Sequence, residues 1–301
     1  MARLLLLITT LVVGCSSHPP ATPAAQPANH KVRDGLARTE CHGLQGALRD
    51  RAVALLDSSY IHDCCDEPLT RCLGQTPRCL LATRLANNIC RRLSAGQDDD
   101  RIKLALSLRA RMMQSDLGQP AATIDLTAVS MVGERDAPVT VVEYAGPRGE
   151  HCARLTPLVH RAVVAGPLAG KVKLYLKPFA LRSNPHSKEA GVAFLAAQQL
   201  NGLWPFVLHA YEHFESFTVD GQAEWAAASG LDRARFEELA SDPAVVQRLI
   251  EVKKEGLENG VKSTPSFFIN GRRYEGELAI EELVDVLEET YDRSRGLTHE
   301  P

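Results

Sequence analysis

The chain has 301 residues, of which 45% are hydrophobic and 24% are charged, with a formal net charge of −3. These values are ordinary for a globular protein that is long enough for one large or two modest folded domains. The small negative charge gives no reason to expect nucleic acid or an anionic membrane surface as a partner.

The N-terminus reads as a targeting segment. Arg3 is followed by an apolar run, Leu4 to Val13, that is too short to span a bilayer as a mature helix. The run ends in Gly14-Cys15, which resembles a bacterial lipobox, and the alternative is a plain signal peptide with an incidental cysteine. We therefore predict a lipoprotein signal peptide over residues 1–15, with Cys15 lipidated on the periplasmic side of the cell envelope.

The Pro- and Ala-rich residues that follow show no periodicity, and residues 16–37 are predicted to be a flexible tether. No other apolar run reaches the roughly 20 residues that a membrane helix requires. The lipid is therefore expected to be the sole attachment to the membrane, in a compartment where disulfides persist.

Seven of the eight cysteines remain when Cys15 is set aside, and Cys152 stands apart from the others. The clustered six are Cys41, Cys64, Cys65, Cys72, Cys79 and Cys90. The C-x2-C pairs typical of zinc and iron–sulfur sites are absent. Structural disulfides are favoured over a redox-active pair or a metal site, and the sequence leaves their connectivity open. The vicinal cysteines, Cys64 and Cys65, are expected to bond to different partners. Cys152 is then the odd thiol.

Residues 38–114 show helical periodicity and are predicted to form a small Cys-rich all-helical domain. Leu44 to Leu56 indicates one helix, Cys79 to Leu93 a second, and Asp98 is placed to cap a third. The segment resembles the helical domain of the cytochrome c maturation H protein at Ala82, Leu85, Ile89, Leu93, Gly96, Asp98, Asp99, Ile102, Leu106 and Arg109. A generic disulfide-linked helical hairpin is the alternative.

After a predicted linker over residues 115–131, strand and helix patterns alternate to Arg295, and residues 296–301 are predicted to be a tail. Val139 to Tyr144 reads as a strand, the segment around Leu155 as a helix, and Val172 to Lys177 as a parallel strand of a βαβ unit. Ser187 to Asn259 reads as all-helical. A hairpin then turns at Asn270-Gly271, and a last helix begins near Ile280.

This ordered set resembles the DsbA-like branch of the thioredoxin superfamily, an α/β fold with a helical insertion. The resemblance implies a domain over residues 132–295 and a role in thiol–disulfide exchange during protein folding. That family carries Cys-x-x-Cys at the start of its first helix, and here the sequence is Gly149-Glu150-His151-Cys152.

The resemblance assigns a role to each matching position. Gly149 stands where the nucleophilic cysteine would be, Cys152 matches the resolving cysteine, and His151 matches the residue that tunes the thiolate. Thr264 and Pro265 match the cis-proline segment that contacts an extended substrate. A two-cysteine cycle within this site is therefore impossible, and the active site is predicted to be incomplete.

Three interpretations remain open for the activity. In the first, the domain binds an extended peptide without exchange. In the second, the N-terminal cysteines supply the missing thiol or act alone. In the third, Cys152 is a lone reactive thiol, or the chain is purely structural in an envelope assembly. The expected partners are envelope protein clients or a redox partner protein, with no nucleic acid, cofactor or metal. His186 and His209 are interpreted as capping or surface residues, and strand alternation favours an outward-facing Glu143.

Overall fold

The structure, a computed structural model, describes residues 35–114 and 121–299. The predicted signal peptide with Cys15, most of the predicted tether and the first part of the predicted linker lie outside these residues. Within the described ranges no helix is both long enough and apolar enough to cross a membrane.

The N-terminal domain is helical, as predicted. After a 3₁₀ turn at Glu40–Gly43 come helices α1 (Gly46–Ser58), α2 (Leu69–Cys72), α3 (Leu80–Ser94) and α4 (Asp99–Met113). The Asp98 carboxylate accepts a 2.8 Å hydrogen bond from the backbone N–H of Arg101 and caps α4 as expected. The folded body begins earlier than predicted, because Leu36 is buried in the core of this domain instead of belonging to a tether.

All six clustered cysteines are paired within this domain. The disulfides join Cys41 to Cys90, Cys64 to Cys79, and Cys65 to Cys72. The prediction of structural disulfides is confirmed, and the vicinal cysteines bond to different partners as expected.

The second domain is built on a five-stranded sheet of order β1-β3-β2-β4-β5. Its strands are β1 (Met131–Gly133), β2 (Val139–Ala145), β3 (Val172–Pro178), β4 (Ser266–Ile269) and β5 (Arg272–Arg273). Strands β2 and β3 are parallel, and the other neighbours are antiparallel. The parallel pair is connected by helix α5 (Glu150–Ala165), which completes the predicted βαβ unit.

Strand β1 is not predicted from the sequence, because three residues are too few to show strand alternation, and its first residue falls in the predicted linker. Its last residue, Gly133, has φ +92°, and a Cβ there would lie 2.3 Å from the carbonyl oxygen of Val172. Only glycine therefore fits this close approach of two backbones.

Five helices form the insertion between β3 and β4. They are α6 (Ser187–Gln199), α7 (Leu203–Glu212), α8 (Gln222–Ala228), α9 (Arg233–Ser241) and α10 (Pro243–Glu258). The β4–β5 turn has φ +48° at Asn270 and +79° at Gly271, as a type I′ turn requires. Helix α11 (Ile280–Ser294) completes the domain.

One face of α11 joins the two domains through buried ion pairs. Arg109, at 1% exposed, reaches Glu289 at 2.9 Å, and His62 Nε2 lies 2.7 Å from the same carboxylate. Arg84, Arg91 and Arg92 reach further acids of α11. Residues 296–299 of the predicted tail also return to the first domain, where the backbone N–H of Leu80 donates to the carbonyl of Thr298 at 3.1 Å.

Candidate functional site

The site lies where β2 ends and α5 begins, at the carboxyl edge of the two parallel strands. Residues 146–148 make the connection, and Gly149 is the N-cap of α5 with an ordinary extended backbone. Glu150 supplies an acidic side chain to the first helical turn, where the helix dipole favours negative charge. Cys152 follows in that turn, so the helix start positions both residues that the sequence singled out.

The space beside Gly149 shows what a side chain would meet there. An ideal Cβ at Gly149 would lie 3.4 Å from Cys152 Sγ, 3.4 Å from Thr264 Oγ1 and 3.2 Å from the carbonyl oxygen of Gly146, a tight contact that a small local shift would relieve. A sulfur carried by that Cβ would be a direct neighbour of the Cys152 thiol. The backbone of the first site position thus has a geometry suited to a cysteine pair, while the residue present carries no sulfur.

Cys152 is the free cysteine among the described residues, and its side chain is 0% exposed. The backbone N–H of Gly146 donates a 3.1 Å hydrogen bond to its Sγ. Burial, assisted by the nearby carboxyl of Glu143, raises the pKa of this thiol to about 12. Such a thiol is almost entirely protonated at neutral pH and is a poor nucleophile.

The six clustered cysteines offer no partner to this thiol, because each is already paired within the first domain. The interpretation in which the cluster supplies the missing thiol therefore finds no free sulfur within the cluster.

A cis peptide bond joins Thr264 to Pro265, as the family resemblance implied. Thr264 and Ser263 face a cavity of about 500 Å³ at the start of α5. We call this cavity the groove, and its lining consists of Arg148, Gly149, Glu150, His151, Leu181, Asn184, Pro185, His186, Phe214, Phe217, Ser263 and Thr264. Gly149, His151 and Thr264 come together here, whereas Cys152 and Pro265 are buried behind this surface.

Arg148 forms one wall of the groove, a role that the sequence did not reveal. Its guanidinium carbon lies 4.2 Å from the ring centroid of Phe214 and 4.4 Å from that of Phe217, and it donates to the Phe214 carbonyl at 2.6 Å. His151 lies on the exposed side, 2.9 Å from the Arg154 guanidinium. His186 occupies the N-cap of α6 without a side-chain capping bond.

Glu143 points into the protein, contrary to the sequence prediction. It is 0% exposed, Thr156 Oγ1 donates to its Oε1 at 2.5 Å, and its Oε2 has no hydrogen-bond partner among the described residues. The prediction from strand alternation was wrong because β2 is a central strand with both faces covered, so neither of its faces is exposed to solvent. Burial raises the pKa of Glu143 to about 8, which keeps the carboxyl protonated at neutral pH.

A parallel βαβ unit, a helical insertion and a cis-proline loop facing a helix start define a DsbA-like thioredoxin-fold protein. A family model described as Thioredoxin matches residues 127–289, just over half of the chain. The chain therefore belongs to the thioredoxin family, and the fold of its second domain is DsbA-like.

Two solved structures illustrate the likeness of fold. A double-alanine variant of alpha-DsbA1 from Wolbachia pipientis is 18% identical, covers 57% of this chain and 95% of its own, and has a TM-score of 0.50. A thioredoxin-like oxidoreductase from Silicibacter pomeroyi DSS-3 is 22% identical, covers 56% and 93%, and has a TM-score of 0.46.

Curated relatives match the same share of the chain. The Na(+)/H(+) antiporter NhaA 3 of Salinispora tropica is 29% identical over 187 residues, which is 60% of this chain and 28% of the antiporter. The antiporter NhaA of Herminiimonas arsenicoxydans is 29% identical over 158 residues, or 52% and 24%. The chain thus spans about a quarter of the length of these relatives.

Proposed function

We propose that this protein is an envelope lipoprotein whose DsbA-like domain binds extended segments of client polypeptides in the groove, without completing a thiol–disulfide cycle. The observation that carries the proposal is Gly149 at the N-cap of α5, where catalysis would need a sulfur. The site is incomplete in its chemistry while the groove in front of it is open.

The remaining thiol supports binding over exchange. A thiol with a pKa of about 12 is ionised in about one molecule in 10⁵ at pH 7. Attack on a client disulfide requires the thiolate and access to it, and buried Cys152 lacks both. Resolution of a mixed disulfide requires that one form first, and Gly149 cannot form it.

The groove itself has the properties of a peptide site. Gly149 lines the groove without a side chain, and Thr264 brings a hydroxyl group to the facing loop. Phe214 and Phe217, held by Arg148, supply apolar surface on the opposite wall. A concave surface with apolar walls and a few polar groups is typical of sites that hold a segment of another molecule.

The location is inferred from the segment that precedes the first domain and from the disulfides within that domain. The apolar run before Cys15 and the cysteine itself support export and lipidation at the periplasmic side of the envelope. Three disulfides in the adjoining domain fit an oxidising compartment. The clients are then envelope proteins or a redox partner protein, reached from a membrane tether.

Reduction of insulin by dithiothreitol tests the absence of exchange. The natural protein and Cys152→Ser should give the same uncatalysed rate, because no sulfur can attack. Gly149→Cys should form a disulfide with Cys152 and accelerate the reaction, while the matched Gly149→Ser should not. Turnover by the natural protein that Cys152→Ser abolishes would overturn the proposal.

Binding is tested with a permanently unfolded, S-alkylated polypeptide labelled for fluorescence anisotropy. Gly149→Leu should fill the groove and weaken binding, and Lys254→Ala, an exposed change on α10, should leave it unaltered. Equal affinity of the natural protein and Gly149→Leu would show that the groove does not hold the polypeptide.

A further inference from the structure

We propose that the end of α7 carries a binding site for a divalent transition metal, formed by His209, Glu212 and His213. The site is separate from the thiol chemistry and does not depend on the proposed peptide binding. From the sequence alone no metal is expected and His209 is interpreted as a surface or capping residue, because a histidine considered alone gives no signal of a site.

Helix geometry places the three side chains on one face. Residues three and four apart are neighbours on a helix surface, and His209 is followed by Glu212 at i+3 and His213 at i+4. One ligand atom from each residue can be chosen so that all three lie within 4.8 Å of one another. A single ion can therefore contact all three after small side-chain rotations, because ordinary metal–ligand bonds are roughly 2.0–2.2 Å long.

A backbone hydrogen bond prepares one of the imidazoles. His213 Nδ1 donates to the carbonyl oxygen of His209 at 3.0 Å. That bond places the proton on Nδ1 and leaves the Nε2 lone pair free for a metal. Metal-binding histidines commonly donate their second nitrogen in this way, which fixes the tautomer and the ring orientation.

The donor set selects the class of metal. Two imidazole nitrogens and one carboxylate oxygen suit Zn²⁺ and Cu²⁺, whereas Mg²⁺ and Ca²⁺ prefer oxygen ligands alone. Cu²⁺ should bind more tightly than Zn²⁺, following the general order of affinities for nitrogen and oxygen sites. Glu212 and His213 are exposed and His209 is half-buried, so an ion can enter from solvent and keep water in its remaining positions.

The site has a tryptophan beside it that can report binding. The Trp225 ring centroid lies 5.9 Å from that of His209 and 6.3 Å from that of His213. The chain has two tryptophans, and the other, Trp204, is stacked near His160. Cu²⁺ held by the two histidines should therefore quench the emission of Trp225 strongly.

The test is titration of the full chain, with any affinity tag removed, by Zn²⁺ and Cu²⁺ in a calorimeter. The natural protein should bind one ion saturably, and His209→Ala/His213→Ala should lose this binding. The matched control His42→Ala removes an exposed histidine of the first domain and should bind as the natural protein does. Glu212→Gln should weaken binding, since a neutral amide is a poorer ligand than a carboxylate.

Fluorescence locates the ion independently of affinity. Cu²⁺ should quench the tryptophan emission of the natural protein and of Trp204→Phe. Trp225→Phe should still bind the ion, but its remaining emission, which comes from Trp204, should be largely unaffected. Absence of saturable binding, or binding retained by the double histidine variant, would overturn the proposal. Equal quenching of Trp225→Phe and Trp204→Phe would place the ion elsewhere and would also contradict it.

Discussion

Glu143→Gln should raise stability at neutral pH, because the natural side chain is a carboxyl held protonated inside the domain. Glu143 is fully buried, and its pKa is about 8, against an ordinary value of 4.5. Glutamine has the same shape, stays neutral, and can accept the hydrogen bond that Thr156 donates. The substitution therefore removes the titration and preserves the packing.

The magnitude follows from proton linkage. Below pH 4.5 the carboxyl is protonated in both folded and unfolded chains, and its contribution to stability is fully present. As pH rises from there to about 8, only the unfolded chain releases the proton, so stability falls by about 1.4 kcal/mol for each pH unit. Between about pH 5 and about pH 7.5 the natural protein should lose about 3 kcal/mol through this one group.

Urea denaturation at these two pH values measures the effect. Tryptophan emission is the probe, because both tryptophans lie in the domain that contains Glu143. Glu143→Gln should be more stable than the natural protein, and this difference in unfolding free energy should be about 3 kcal/mol larger at the higher pH than at the lower. Glu150→Gln, an exposed change, should show no such difference. An equal effect of Glu143→Gln at both pH values would refute the reasoning.

Three further predictions address the first domain, the domain interface and the anchor. Replacing Cys41 and Cys90 by serine opens a loop of 49 residues and should cost about 4 kcal/mol in chemical denaturation, whereas no loss would show that the disulfide does not constrain the unfolded chain. Arg109→Met leaves the Glu289 carboxylate buried without its guanidinium and should cost about 3–5 kcal/mol, measured the same way; an unchanged midpoint would refute a role for this pair. Cys15→Ser should abolish metabolic labelling with palmitate and move the protein from the membrane to the soluble fraction, and retained label would contradict lipidation at that residue.

The sequence was sufficient for the features that depend on neighbours along the chain. Periodicity located the helices, Asp98 marked a helix start, and Asn270-Gly271 predicted the hairpin turn that the φ angles confirm. The order of these elements gave the DsbA-like fold. The Gly149 and Cys152 positions followed from that order, since each is defined by its distance from the start of one helix.

Only the tertiary structure decided the features that depend on residues far apart in the chain. Glu143 is buried because helices cover both faces of β2, and alternation along one strand carries no information about its coverage. The ion pair between Arg109 and Glu289 joins residues 180 apart. Arg148 packs on the rings of Phe214 and Phe217, which lie more than 60 residues later in the chain. Local patterns report backbone conformation, whereas contact, burial and pKa are set by packing between distant segments.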